Sequence, residues 1–130
     1  MASIHRNVMI DRPAAAVWDA MRDVGALHTR LVVGFVIDTR LADGVRDVTF
    51  ANGMKAREAI IDVDDERHRV AWSATGGGLT HYNASTQVFP ATESSCEVRW
   101  IADLLPNEMA PAIAGMIEQG LAAMKRTLEV

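Results

Sequence analysis

The amino-acid sequence predicts an α+β fold, in which a curved antiparallel sheet of about six to seven strands wraps around a long C-terminal helix. Three features predict it: a first strand followed by two short helical segments, a series of β-type segments separated only by short turns, and a last segment with helical periodicity. Strands joined by short turns pair as an antiparallel meander. One face of such a sheet must be covered, and only the C-terminal helix is long enough to cover it.

A strand and two helical segments form the predicted N-terminal part. Alternating apolar residues predict the strand over residues 3–10. Asp11 is expected to cap a helix that has Pro13 in its first turn, and apolar side chains recur at helical spacing through residues 14–21. After a short break, we expect residues 26–29 to form a second short helix or a turn.

Six further strands are predicted, because β-branched residues become frequent from residue 31 and turn residues interrupt them repeatedly. Asn52-Gly53 is the strongest hairpin signal among these turns. Pro90 and Pro106 are expected to end the last two strands. The predicted strands cover residues 31–41, 45–51, 54–63, 68–75, 79–89 and 97–105.

The C-terminal segment predicts one long amphipathic helix. Asn107 is expected as its N-cap, with Glu108 near the positive end of the helix dipole. Pro111 is tolerated because it falls in the first turn. The apolar face of this helix is predicted to contain Met109, Ile113, Met116, Ile117, Leu121, Met124 and Leu128.

Composition and charge exclude several classes of protein. The chain has 130 residues, of which 49% are hydrophobic and 23% charged, values typical of a globular protein. We expect one domain over residues 1–130. The formal net charge is −4 and there is no basic run, so a nucleic-acid partner is not expected. No apolar stretch approaches the roughly 18–20 residues that span a bilayer.

The N-terminus and the cysteine content predict a cytoplasmic protein. His5, Arg6 and Asn7 interrupt the first apolar residues, which is not the pattern of a signal peptide. Cys96 is the only cysteine, so no internal disulfide is expected. No two histidines have metal-ligand spacing, and we expect neither a metal nor a cofactor. A homodimer is compatible with a domain of this size.

Local motifs along the chain carry a resemblance to a known family. They lie at residues 13–18, 23–28, 44–46, 52–53, 57–58, 64–68, 82–86, 97–100 and 120–129. The order of the elements together with these motifs resembles the helix-grip fold of the START, birch-pollen-allergen and polyketide cyclase superfamily (SRPBCC), including its bacterial polyketide cyclase/dehydrase-like members. The resemblance covers essentially the whole chain.

The resemblance implies a fold more specifically than a function. Members include cyclases, dehydratases, lipid carriers, hormone receptors and co-chaperones, and a fold does not decide among such activities. Residues 76–81 lack the basic latch sequence of the plant abscisic-acid receptors, so a hormone-receptor role is not expected. A strongly curved sheet around one helix leaves space for a ligand between them.

Arg46 is the first candidate for a polar group inside such a cavity. It shares a strand face with Val48 and Phe50, the face expected to point inward, and a buried Arg requires a partner. A three-residue turn around Asn52-Gly53 would place Glu58 opposite Arg46 and create an inward ion pair. A two-residue turn would instead place Glu58 opposite Asp47 and turn its side chain outward.

The orientation of Glu58 therefore stays open at this stage. Ala59, Ile61 and Val63 form an alternative apolar face, which would leave Glu58 and Asp62 in water. In the plant receptors that the central hairpin resembles, the matching Glu faces the cavity.

Trp72, Tyr82, Thr86 and Trp100 are further candidates, because each lies on a strand face of mostly apolar or small residues. The alternative is that both tryptophans are ordinary core residues and that Tyr82 lies at a sheet end. The residues predicted to bind ligand are Arg46, Val48, Phe50, Glu58, Ile60, Trp72, Tyr82, Thr86, Trp100, Ile113, Met116 and Ile117.

His28 and His81 are candidate acids or bases near the cavity mouth, with a surface position as the alternative for each. The Gly76-Gly77-Gly78 run has no Lys-Ser/Thr after it and opens no helix, so it is not a phosphate-binding loop. It predicts a flexible turn that could act as a lid.

Three functions follow from these observations. The first is binding of a small hydrophobic or aromatic molecule, polyketide-like or lipid-like, without chemistry. The second is a cyclase or dehydratase in which Arg46, Glu58, Tyr82 or a histidine moves protons. The third is a co-chaperone-like interaction module. A filled interior would count against both ligand-based functions.

Overall fold

The computed structural model describes residues 1–130 and contains seven strands, two α-helices and two short helical turns. The α-helices are α1 (Ala14–Met21) and α2 (Ala110–Leu128), while Leu27–Leu31 forms a π-helical turn and Asn107–Met109 a 3-10 turn. Neither α-helix combines the length and the apolar character that a membrane span requires. The strands are β1 (Ala2–Ile10), β2 (Val36–Ala42), β3 (Val45–Phe50), β4 (Lys55–Asp64), β5 (Arg69–Thr75), β6 (His81–Thr92) and β7 (Ser95–Leu105).

The strands form one seven-stranded antiparallel sheet in the order β1-β7-β6-β5-β4-β3-β2. Strands β2 to β7 follow the chain order, and β1 adds to β7 at one edge. The helix α2 packs on β1 and on the π-helical turn. Its buried apolar residues, Ile113, Ile117, Leu121, Met124 and Leu128, lie in the same core as the strands. The predicted helix-grip architecture is thereby confirmed.

The helix α1 packs on β6 and β7 and is tied to the turn between β4 and β5. The indole Nε1 of Trp18 donates a hydrogen bond to Asp65 Oδ1 at 3.0 Å. Arg22 binds both carboxylate oxygens of Asp65, at 2.8 and 3.3 Å. The Trp18 ring also stacks on His68, with the ring centroids 5.2 Å apart. These contacts hold α1 in place through polar groups on the turn as well as through its apolar face.

The start of β2 differs from the prediction. The strand begins at Val36 rather than at residue 31, because Leu27–Leu31 winds into the π-helical turn. Gly34 has a φ of 84°, a backbone angle that favours glycine and turns the chain before the strand. The turn buries Leu27 and Leu31, so apolar residues that suggested a strand belong in part to a helical segment.

Three other element boundaries were predicted wrongly. Pro13 rather than Asp11 lies at the N-cap of α1, and the Asp11 amide instead donates to Glu129 Oε2 at 2.8 Å. The helix α2 begins after a 3-10 turn, without a side-chain cap from Asn107. Strand β6 continues through Pro90 to Thr92, although Pro90 was expected to end it. Pairing with β5 ends at Gln87, so the missing N–H of Pro90 breaks no hydrogen bond to β5.

Candidate ligand cavity

A cavity of about 100 Å³ lies between α2, the π-helical turn and the face of the sheet that packs against them. Hydrophobic residues make up 20 of the 27 that line it, so the wall is mainly apolar. The structure brings together most of the residues predicted to bind ligand. Those that line the cavity are Arg46, Val48, Phe50, Glu58, Trp72, Tyr82, Thr86, Trp100, Ile113 and Met116.

Ile60 and Ile117 do not line the cavity, which corrects the prediction for both. Ile60 is half-buried, pairs with Trp72 across β4 and β5, and packs against the core from outside the cavity. Ile117 has no exposed surface and is enclosed by core side chains of the sheet and α2. Helical and strand periodicity placed them on the inner side, but close packing keeps them away from the open space.

Arg46 and Glu58 form an ion pair in the cavity wall. Arg46 Nε donates to Glu58 Oε1 at 2.7 Å, and the two side chains are only 3% and 10% exposed. Arg46 Nη1 also donates to the carbonyl oxygen of Val24 at 3.2 Å. The guanidinium carbon lies 5.1 Å from the centre of the Trp72 ring, within cation–π range. The Arg46 charge is therefore compensated by partners that all belong to the protein.

The turn between β3 and β4 is what points Glu58 inward. Thr49 pairs with Lys55, and Phe50 N–H donates to the Met54 carbonyl at 2.8 Å, so residues 51–53 form a three-residue loop. Gly53 has a φ of 89°, as expected for the left-handed residue of such a loop. Arg46 consequently pairs with Glu58. The three-residue alternative applies, and the two-residue alternative is wrong.

A β-bulge in β4 breaks the competing apolar alternation of Ala59, Ile61 and Val63. The register between β4 and β5 shifts between Ile60 and Asp62, which inserts one extra residue into β4. Ile61 is that residue and is 56% exposed. Ala59 is exposed and Val63 half-buried, so the regular apolar alternation in the sequence does not mark one face.

Trp72, Trp100 and Tyr82 form the aromatic part of the wall. The two indoles meet edge to face, with centroids 5.8 Å apart. Burial raises the pKa of the Tyr82 hydroxyl, and the charge of Glu58 adds to the rise, so Tyr82 keeps its proton. The Trp100 indole opposes this rise in the pKa. At ordinary hydrogen-bond distance, however, neither Nε1 of Trp72 nor Nε1 of Trp100 has an acceptor, and both nitrogens are buried.

Several cavity residues escaped prediction from the sequence. Those contributed by α1, by the segment before β2 and by the first residue of β2 are Met21, Leu27, Leu31, Val32, Phe35 and Val36. Their position was missed because the sequence did not show that the chain turns at Gly34 and folds the preceding residues over the sheet. Gly76, Gly77 and Leu79, together with Met109, line it near the start of α2. The glycine run that predicted a flexible turn is therefore part of the wall.

The histidines lie outside the cavity wall. His28 is half-buried in the π-helical turn, and its Nδ1 is buried without a partner. His81 is half-buried at the start of β6, where it pairs with Leu105. Neither histidine lines the cavity, whereas the other residues predicted to move protons, Arg46, Glu58 and Tyr82, do.

Comparison with known proteins agrees with this geometry. Residues 1–129 match the family model described as "Polyketide cyclase / dehydrase and lipid transport". No curated protein matches the chain. Among solved structures, an uncharacterized protein from Bacillus thuringiensis superposes with a TM-score of 0.87 at 19% identity, over 98% of both chains.

Two similar structures belong to biosynthetic proteins. The di-domain ARO/CYC BexL of the BE-7585A pathway gives a TM-score of 0.85 at 17% identity, over 99% of this chain and 47% of that one. A point mutant of norcoclaurine synthase from Thalictrum flavum, in complex with a transition-state analogue, gives 0.72 at 25% identity, over 98% and 91%. The chain thus spans about half of the di-domain protein and nearly the whole of the synthase.

Proposed function

The chain belongs to the polyketide cyclase/dehydrase and lipid transport family, and from that premise we propose that it binds a small apolar or aromatic molecule in the cavity between the sheet and α2. The resemblance found in the sequence agrees with this family. The single observation that carries the proposal is the mainly apolar wall around a cavity with a few buried polar groups, the usual composition of a small-molecule site.

The cavity volume limits the size of the ligand. Ligand pockets commonly measure about 300–1,000 Å³, and this cavity measures about 100 Å³. A guest of more than one or two rings must therefore displace side chains of the wall. Met109, Met116 and Met124 line the cavity and suit such adjustment, because methionine is unbranched and adapts its shape.

Each polar residue has a proposed part in binding. Arg46, Glu58, Tyr82 and Thr86 orient the polar end of the ligand, and the remaining lining residues contact its apolar body. Ile60 and Ile117 support the wall from behind rather than touching the ligand.

A thermal-shift screen with aromatic, polyketide-like and lipid-like compounds tests the proposal. A ligand that binds only the folded state stabilises it by about 2.7 kcal/mol at a hundred times its dissociation constant. Ala56→Leu, which fills the cavity, should abolish the shift, whereas Ala59→Leu, which points outward from the same strand, should preserve it. Equal shifts in both variants would place the ligand elsewhere and refute the proposal.

Catalysis of the cyclase or dehydratase type is the second candidate. One observation favours it: a protonated Tyr82 and the Glu58 carboxylate border the same cavity, where each could exchange a proton with a bound substrate. The test is turnover of the ligands found in the screen. Tyr82→Phe should reduce the rate by about 10²-fold or more if Tyr82 supplies a proton, a larger effect than the roughly 3- to 10-fold loss of affinity expected from one missing hydrogen bond.

A further inference from the structure

Strand β2 forms one edge of the sheet, and the outer side of its backbone is unpaired. The β2–β3 turn has two residues, so Asp38, Arg40 and Ala42 are the residues of β2 that exchange hydrogen bonds with β3. The N–H and C=O groups of Thr39 and Leu41 therefore point away from the sheet. No group outside β2 and β3 is hydrogen-bonded to any residue of β2 after the first.

The opposite edge of the sheet, β1, has partners from α2. This helix packs on β1, and Lys125 Nζ donates to the carbonyl oxygen of Met9 at 2.7 Å. Just after the strand, the Asp11 amide donates to Glu129 Oε2 at 2.8 Å. An unpaired strand edge is a template for pairing with another chain, and β2 is the edge that presents one.

Exposed apolar side chains are frequent in the same segment. Val33, Ile37 and Leu41 are 48%, 56% and 46% exposed, and they are three of the eight large hydrophobic residues exposed on the chain. Neighbouring exposed apolar side chains are typical of surfaces that contact other proteins. The β2 edge therefore combines unpaired backbone groups with apolar side chains that remain in water.

The charges of β2 select a second copy of the same strand as its partner. When two identical strands pair antiparallel about a two-fold axis, the outward backbone groups of both meet in three central registers, centred on Asp38, Thr39 or Arg40. The first places two Asp38 side chains opposite each other, and the third two Arg40 side chains. Centring on Thr39 instead places Asp38 opposite Arg40 of the second copy, twice. It also places Ile37 opposite Leu41.

Only the register centred on Thr39 avoids like charges. Directly opposite like charges destabilise a strand pair, whereas opposite charges stabilise it. Asp38 and Arg40 lie on the outer face of the sheet, 3.1 Å apart and 44% and 83% exposed. Each can exchange its partner within the chain for one on the second copy without burying a charge. Exposed ion pairs add little affinity, so these charges set the register while backbone hydrogen bonds and apolar contacts hold the strands together.

We propose that two copies of this chain associate through their β2 edges, antiparallel and centred on Thr39, and so join their sheets. The β-bulge between Val36 and Asp38 lies at the start of the strand, and the central residues 38–40 follow it in regular register. No residue of β2 after Val36 lines the cavity. The interface is therefore independent of the cavity and of any ligand in it.

Analytical ultracentrifugation at low ionic strength, from about 1 μM to about 1 mM protein, tests the proposal. The wild-type chain should dimerise. Arg40→Asp and Asp38→Arg each place like charges opposite, and each should raise the dissociation constant of the homodimer by about 10-fold or more. An equimolar mixture of the two variants should form a heterodimer, because each supplies the charges that the other lacks.

Matched controls lie on the same sheet face, away from the edge. Asp47 and Arg57 form an exposed pair at 3.3 Å on β3 and β4. Arg57→Asp and Asp47→Arg change the net charge by the same amounts as the two edge variants, and both should dimerise like the wild type.

Leu41→Pro tests the backbone contribution. It removes an N–H that points away from β3, a position where an edge strand tolerates proline. We expect a monomer whose urea unfolding at low protein concentration matches that of the wild type.

Three outcomes would overturn the proposal. A wild-type chain that stays monomeric up to about 1 mM has no such interface. A dimer that tolerates both Leu41→Pro and Arg40→Asp forms through another surface. A mixture of Arg40→Asp and Asp38→Arg that dimerises no better than either variant alone shows that the register centred on Thr39 is wrong.

Discussion

Replacing Glu58 by glutamine should lower the free energy of unfolding by about 3–5 kcal/mol, because it leaves the buried Arg46 without its counter-charge. The two groups are 2.7 Å apart and almost fully buried, so water cannot take over the role of the carboxylate. The amide of the new side chain would retain a hydrogen-bond acceptor, which isolates the loss of charge from the loss of the contact. Such a loss is a large part of the roughly 5–15 kcal/mol that stabilises a typical domain.

A matched control lies on the same two strands. Asp47 pairs with Arg57 beside the Arg46–Glu58 pair, at 3.3 Å, but those side chains are 60% and 66% exposed. Exposed ion pairs contribute about 0–1 kcal/mol, so Asp47→Asn should change stability by no more than that. Urea unfolding at pH 7, followed by tryptophan fluorescence, measures both variants.

A double variant tests the physical reason. Arg46→Met with Glu58→Leu removes both charges, and such replacements of buried pairs are often neutral or stabilising by about 1–4 kcal/mol. We expect the double variant to be far more stable than Glu58→Gln alone. If Glu58→Gln costs no more than Asp47→Asn, or if the double variant is less stable than Glu58→Gln, the account of a desolvated ion pair is refuted.

Three further predictions concern α2, the α1 clamp formed by Trp18, Arg22 and Asp65, and the buried thiol. Gly120→Ala should destabilise the protein by about 1–3 kcal/mol, because its Cβ would lie 2.8 Å from Trp100 Cζ3 and 3.2 Å from Phe35 Cε2. A Cβ added at Gly115 on the same helix meets nothing within 4 Å, so Gly115→Ala should stabilise the protein by about 0.5–1 kcal/mol. Urea unfolding that changes stability in the same direction in both variants would contradict this account. Hydrogen bonds from Arg22 and then Trp18 lower the pKa of Asp65, so its stabilisation is present above the ordinary Asp pKa of about 3.9 and is lost as the pH falls through the lowered value. Urea unfolding between pH 7 and pH 3 should accordingly show a shallower acid loss for Asp65→Asn than for wild type, and equal slopes would count against the clamp. Burial raises the pKa of the Cys96 thiol, so it should react with Ellman's reagent only on unfolding, and equally fast labelling in native buffer and in concentrated urea would show that the site opens.

The overall fold was predictable because it rests on local patterns. The order of strands and helices, the apolar face of α2 and the hairpin at Asn52-Gly53 all follow from residues close together in the chain. The wrong predictions concern segments whose residue pattern is compatible with more than one local structure. The apolar residues from Leu31 onward predicted a strand, but Leu31 ends the π-helical turn and Gly34 turns the chain, so β2 begins only at Val36.

The cavity was less predictable from the sequence than the overall fold. The strand face of Arg46 predicted its inward position. Whether Glu58 also points inward depended on the length of the β3–β4 loop, because a one-residue slip in register moves every side chain of the strand to the opposite face. The bulge after Ile60 likewise reverses the faces of β4 without a recognisable sequence signal.

The sequence by itself therefore determined the element order, the antiparallel sheet around α2 and much of the cavity wall, since hydrophobic periodicity encodes which faces are buried. Only the tertiary structure decided that Glu58 meets Arg46 and that Ile60 and Ile117 stay outside the cavity. Those features depend on distances between side chains far apart in the chain. Periodicity specifies the face of an element, but it does not specify what stands opposite that face.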